Sequence, residues 1–144
     1  MKRLALLTTF LVALFTLSFA QNKPLTGIWE LKKNKDGQGN LNEIPIGAYK
    51  IFTNDGKFSN MQLTADGAVI THEGIFQIDG AAKYTENVLD KITGSYIDEK
   101  QTNLTYKLSE DGNTLTLEGV LKLGDGNYTF NLYEEWKKVL VYNP

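Results

Sequence analysis

The chain has 144 residues, a single histidine, no cysteine and a formal charge of −2. Without cysteine there is no disulfide framework, thiolate nucleophile, Cys-ligated zinc or iron–sulfur cluster, and His72 alone cannot build a multi-His metal site. The mild acidity lacks the basic stripe of a nucleic-acid surface and the polybasic patch that anionic lipid attracts.

Lys2 and Arg3 precede an apolar run from Leu4 to Leu17, and Ser18-Phe19-Ala20 puts small residues at the −3 and −1 positions of a cut before Gln21. A charged start, a short apolar core and a small-x-small site are the parts of a secretory signal. The run is short for a hydrocarbon core of ~30 Å, which speaks against a membrane anchor. Residues 1–20 are therefore expected to be removed, leaving 21–144 as one periplasmic or secreted domain. Losing Lys2 and Arg3 takes the formal charge from −2 to −4. No cysteine follows the cut, so a lipid anchor of the bacterial lipoprotein kind has no point of attachment.

The dipeptide Asp-Gly occurs at 36–37, 55–56, 66–67, 79–80, 111–112 and 125–126. Glycine reaches positive φ without steric cost and aspartate tolerates it, so each dipeptide suits a tight turn between antiparallel strands. The intervening segments are rich in β-branched and aromatic residues, and many alternate in polarity. They predict strands over Leu25–Lys33, Gly47–Thr53, Lys57–Thr64, Ala68–Ile78, Tyr84–Leu89, Asn103–Leu108, Thr114–Leu123 and Asn127–Val141. Within residues 83–92, Tyr84, Val88 and Ile92 also fit a helical spacing, so a short helix is the alternative there. A loop containing Gly94 and Asp98-Glu99-Lys100 separates the fifth and sixth strands. Sequential strands joined by short turns describe an all-β, up-and-down meander. Closing it into an eight-stranded antiparallel barrel removes both exposed edges. The interior is then just wide enough for side chains or one small ligand.

Side chains alternate between faces, and the more apolar parity of each strand is the candidate inner wall. That choice selects Trp29 and Leu31; Tyr49 and Ile51; Met61 and Leu63; Ile70, His72, Gly74, Phe76 and Ile78; Tyr84, Glu86 and Val88. It continues with Leu104, Tyr106 and Leu108; Leu115, Leu117, Gly119 and Leu121; Tyr128, Phe130, Leu132, Glu134 and Trp136. An apolar wall with a few converging polar groups describes a small-molecule cavity. Tyr49, Met61, Phe76, Tyr84, Tyr106 and Phe130 would supply the wall, and His72 with Glu86 would orient a polar head.

Gly27-Ile28-Trp29 on the first predicted strand resembles the Gly-x-Trp motif of lipocalins and related calycins. The resemblance implies a barrel in which Trp29 closes one end beneath a basic side chain of the last strand, Lys137 or Lys138. Further segments extend the likeness: Tyr49-Lys50-Ile51-Phe52 before Asp55-Gly56, Phe58-Ser59-Asn60-Met61, Tyr84-Thr85-Glu86, Leu104-Thr105-Tyr106-Lys107-Leu108 and Glu135-Trp136-Lys137-Lys138-Val139. Together with Leu25–Leu31 they resemble an uncharacterised family of small exported, lipocalin-like proteins from gut-dwelling Gram-negative anaerobes. That resemblance implies a fold and an export route, with no established activity.

Non-catalytic binding of a small hydrophobic or amphiphilic molecule, with no cofactor, is the expected function. Other readings are weaker. Residues 34–40 superficially resemble a calcium loop, but Pro45 stands where the closing acid belongs. His72 as a haem ligand, or as a general base oriented by Glu86, lacks supporting residues. The irregular segment Asn34–Ile46 occupies the place of a lipocalin lid. A module binding a protein through its outer surface is the alternative from another class.

Overall fold

The computed structural model describes residues 23–92, 100–123 and 128–140. The predicted signal at 1–20, the loop around Gly94, Asp98 and Glu99, and the Asp125-Gly126 turn lie outside the described residues. Among the described residues a 3-10 turn, Lys23–Leu25, precedes nine strands. These are β1 (Gly27–Lys35), β2 (Leu41–Glu43), β3 (Ala48–Phe52), β4 (Lys57–Thr64) and β5 (Gly67–Asp79). β6 (Lys83–Lys91), β7 (Gln101–Leu108), β8 (Thr114–Leu123) and β9 (Tyr128–Lys138) follow.

Every neighbouring pair is antiparallel, and β1 also pairs with β9, from Trp29↔Lys138 to Asn34↔Glu134. That last pairing closes β1 and β3–β9 into an eight-stranded barrel, the architecture the turn spacing predicts. Residues 83–91 are a strand, which settles the helical alternative. The predicted irregular segment Asn34–Ile46 is partly ordered instead. β1 runs on to Lys35, and β2 folds back on it, Lys33↔Glu43 to Lys35↔Leu41. Asp36 holds the connecting bend, its carboxylate accepting from the Gln38 and Asn40 amides at 2.9 Å each.

One end of the barrel is closed by the chain's own first residues. Leu25 and Trp29 are fully buried, and Trp29 Nε1 donates to the Leu25 carbonyl at 2.7 Å. Lys138 carries its ammonium 5.3 Å from the Trp29 ring centroid. Gly27 makes that reach possible. It has φ +136°, and a Cβ there would stand 3.2 Å from Lys138 Cε. The Gly-x-Trp motif is thus a seat for the lysine as well as for the ring. Lys137, the other candidate, points outward and donates to Thr114 Oγ1 at 2.5 Å. Strand alternation decides between the two, since Lys138 shares the face of buried Trp136 and Lys137 does not.

Above this plug the interior is solid. Phe52, Phe58, Phe76, Tyr84, Leu115 and Leu117 are all at most 2 % exposed. Phe52 meets Phe76 edge-on at 4.8 Å between centroids and Tyr84 at 5.8 Å, the offset geometry that ring quadrupoles favour. Gly74 lets β6 approach. A Cβ on it would fall 1.9 Å from the Asn87 carbonyl oxygen, beside the bulge where Glu73↔Asp90 gives way to Gly74↔Val88.

Gly74→Ala therefore destabilises the fold by at least about 2 kcal/mol, because backbone must move to admit the methyl. Gly37→Ala, which meets nothing within 4 Å, changes stability by less than about 0.5 kcal/mol. Urea unfolding of both variants checks the contrast.

Candidate functional site

A lysine sits where the sequence predicts tyrosine. On β3 the inner residues are Lys50 and Phe52, 3 % and 2 % exposed, while Tyr49 and Ile51 are only half-buried. Register carries this across the sheet. Lys50 pairs with Asn60 and Phe52 with buried Phe58, so Tyr49 and its partner Met61 share the outer face. Leu63, Ile70 and Tyr128, also predicted inside, are exposed. The parity choice failed on β3 because lysine is almost never fully buried unless paired. The missing signal was Glu86: a glutamate correctly expected inside needs a cation, and Lys50 shares its parity with Phe52.

Lys50 Nζ forms a buried ion pair with Glu86 Oε1, and the Tyr84 hydroxyl donates to the same oxygen. Four rings surround the ammonium: Phe58 and Trp136 with centroids at 5.6 Å, Phe52 at 5.9 Å and Tyr84 at 6.0 Å. Each face adds about 0.5–2 kcal/mol of attraction, offsetting part of the several kcal/mol lost on desolvation. Burial, the Glu86 charge and its hydrogen bond push the Tyr84 hydroxyl well above its ordinary range, so it stays a donor.

A second carboxyl completes the cluster. Glu134 on β9, partly buried, accepts from Trp136 Nε1 at 3.0 Å. Burial pushes its pKa up, the Lys50 charge opposes that and the Glu86 charge adds to it. Glu134 faces Leu117 on β8. Leu132↔Gly119 and Phe130↔Leu121 follow toward the end of the barrel opposite Trp29.

His72 stands apart from this network. Its Nε2 lies 2.5 Å from Asn60 Nδ2, and its Nδ1 lies 3.2 Å from Thr71 Oγ1, which donates to the Asn60 carbonyl. Burial, then the Lys50 charge, depress its pKa to about 4, with Glu86 pulling the other way. His72 and Glu86 do not meet. The β5–β6 hairpin closes at Asp79↔Lys83, which sets Glu86 opposite Phe76 and leaves His72 four residues further along β5, opposite Lys91, so no oriented general base forms. Of the remaining predicted wall residues, Phe76 belongs to the solid packing, while Tyr106 and Phe130 are half-buried.

A rim cleft of about 310 Å³ borders His72, with Ile70, Glu73, Asp90, Lys91 and Ile92 around it. A shallower groove of about 760 Å³ crosses β6–β8 past Lys83, Asn103, Glu118 and Val120. Among the described residues no group of three or more His, Asp or Glu side chains is arranged to hold a metal ion.

The fold and this cluster define a closed antiparallel β-barrel, plugged at one end, with a buried ionic network at mid-height. The chain belongs to the family described as a domain of unknown function, DUF4488, whose model matches residues 24–144. No curated protein matches the chain.

Two outcomes follow. Lys50→Met leaves Glu86 buried without its countercharge, and costs about 3–5 kcal/mol in urea unfolding. Adding Glu86→Gln, which removes the charge and still accepts from Tyr84, restores most of that loss. His72 acts through pH. Its folded pKa of about 4 lies below the ordinary 6.5, so its contribution is complete above pH 6.5 and is lost as pH falls toward 4. Glu134, whose pKa is raised, has the opposite slope above its ordinary 4.5. Melting temperatures of His72→Gln will therefore fall less than those of the parent protein between pH 6.5 and 4.

Proposed function

We propose that the protein binds a small amphiphilic molecule in the half of the barrel opposite Trp29, without catalysing a reaction. The observation that carries this reading is the Lys50–Glu86–Glu134 cluster inside an otherwise apolar barrel. An interior built only to fold is at least as stable with apolar residues in place of a buried ion pair. Burial raises the pKa of both Glu134 and Tyr84 in this cluster, and such perturbed groups mark candidate binding sites. Away from the packing around Phe52 and Phe76, the inner faces of β8 and β9 carry the partly buried Glu134, Leu132, Leu121 and Phe130, and a ligand would lie against these. Its polar end would meet the cluster and its apolar body would lie along those side chains.

The plugged end, with Gly27, Trp29 and Lys138 in contact, supports kinship with lipocalins. The likeness to exported proteins of gut-dwelling Gram-negative anaerobes, and the charged, apolar and small-x-small segments of residues 1–20, support export to the periplasm or beyond. A second reading, docking to a protein, draws on the exposed Ile46, Leu63, Val69, Ile70 and Ile92 around the rim. The Leu63 amide donates to the Gly47 carbonyl at 2.7 Å, and the Ile92 amide to the Thr71 carbonyl at 2.9 Å.

The neutral probe N-phenyl-1-naphthylamine separates the two. It gains fluorescence with the parent protein and is displaced by octanol. Leu132→Trp, which puts a larger side chain on that inner face, lowers that uptake at least tenfold and leaves the circular dichroism spectrum unchanged. Equal uptake by Leu132→Trp and the parent would move binding out of the barrel and onto the rim.

A further inference from the structure

We propose that Asp79 is a site of spontaneous covalent modification, at which the side chain closes onto the Gly80 amide and reopens as isoaspartate. The Asp-Gly dipeptides that turn this chain are also open to this reaction, because glycine puts no side chain in the way of its attacking nitrogen. In the first step the Gly80 nitrogen bonds to Asp79 Cγ and loses its proton, and one carboxyl oxygen leaves as water. In the second, water adds to either carbonyl of the succinimide ring and breaks that carbon's bond to nitrogen. Opening at the main-chain carbonyl leaves the chain running through Cγ, which is isoaspartate; opening at Cγ restores aspartate. One water leaves and one returns, so no oxidant, reductant or other reactant is consumed.

The fold decides which dipeptide reacts. Closure needs the carboxyl to swing onto the next amide, so hydrogen bonds that hold either group slow it. Five of the six dipeptides lie among the described residues. Asp36 accepts from the Gln38 and Asn40 amides and from Asn40 Nδ2. Asp55 accepts from Thr53 Oγ1 and pairs with Lys57 at 2.8 Å, and the Gly56 amide donates to the Thr53 carbonyl at 3.2 Å. Asp111 accepts from Ser109 Oγ, the Asn113 amide and Asn113 Nδ2, and the Gly112 amide donates to the Ser109 carbonyl at 2.9 Å. The same bonds hold all three carboxyls below their ordinary range, through Asn40 at Asp36, Lys57 and then Thr53 at Asp55, and Ser109 at Asp111. That makes scarce the protonated form from which water departs. At Asp66 the glycine is the held partner. Gly67 pairs with Thr64 in the β4–β5 ladder, and its carbonyl accepts from Thr64 Oγ1 at 3.0 Å.

Asp79-Gly80 differs on both sides of the reaction. Among the described residues the Asp79 carboxylate accepts no hydrogen bond and the Gly80 amide donates none. Both residues are exposed, Gly80 has φ +74°, and a Cβ on it would meet nothing within 4 Å, so water has access to the ring. The turn is fixed at its ends, by Asp79↔Lys83 and by the Tyr106 amide, which donates to the Ala82 carbonyl at 2.8 Å. Asp79 and Lys83 also border the groove across β6–β8, so the extra main-chain carbon of isoaspartate alters one end of it.

The test is ageing of the full, folded chain at pH 7.5 and 37 °C. Cleavage after glutamate and electron-transfer fragmentation, which distinguishes isoaspartate from aspartate, then locate the product. Peptide 74–86 carries Asp79, 31–43 carries Asp36, 44–73 carries Asp55 and Asp66, and 111–118 carries Asp111. Isoaspartate at 79 is expected to exceed that at 36, 55 and 111 at least tenfold, and that at 66 at least threefold. Ageing in guanidinium chloride at an unfolding concentration removes the hydrogen bonds and is expected to bring all five positions within about threefold of one another. A folded protein in which position 79 does not lead overturns the proposal. So does a lead that persists undiminished in the unfolded chain, since it would then come from neighbouring sequence and not from the fold.

Discussion

A sheet closed on itself has a fixed interior, and the chain's own side chains must either fill it or leave it to something else. Here the pairing of β1 with β9 imposes that constraint on every strand. Inward residues have no route to water through the wall, so each polar one must find its partner across the barrel. Lys50 meets Glu86 from a strand that is not its neighbour in the sheet, and Tyr84 joins them. The barrel thus divides into a plugged, aromatic half that supplies stability and a half whose floor is ionic.

The plug shows how a short motif can do several jobs with few atoms. Trp29 fills the end and donates to Leu25, which anchors the entering chain. Gly27, by lacking a side chain, lets Lys138 lie against it and hold its charge over the indole. First and last strands are joined by this contact as well as by backbone hydrogen bonds, so the seam of the barrel is also its cap.

The ionic floor has a different balance. Each of its bonds repays desolvation that apolar residues would never incur, and its members depend on one another. Glu134 sits at the margin of this network, close enough to feel both Lys50 and Glu86.

Much of this was readable from the residues alone. Asp-Gly turns placed the strands, because glycine's conformational freedom is local and needs no knowledge of the rest of the chain. Alternation gave the inner face wherever one parity was plainly apolar, as with Phe76 and Ile78 on β5 or Leu115 and Leu117 on β8. It pointed to His72, Tyr84, Glu86 and Glu134 as inward polar groups. It failed on Ala48–Phe52, where Tyr49 and Ile51 outweigh Lys50 on any scale of hydrophobicity. Only the closed barrel decides that strand, by setting Glu86 and four rings around one ammonium. The same holds for His72 and Glu86, which the register of the β5–β6 hairpin keeps apart. Local chemistry determines where a chain bends and which residues alternate, because those preferences act between neighbours. Which charges end up together depends on register summed across eight strands, and that is known only once the first strand meets the last.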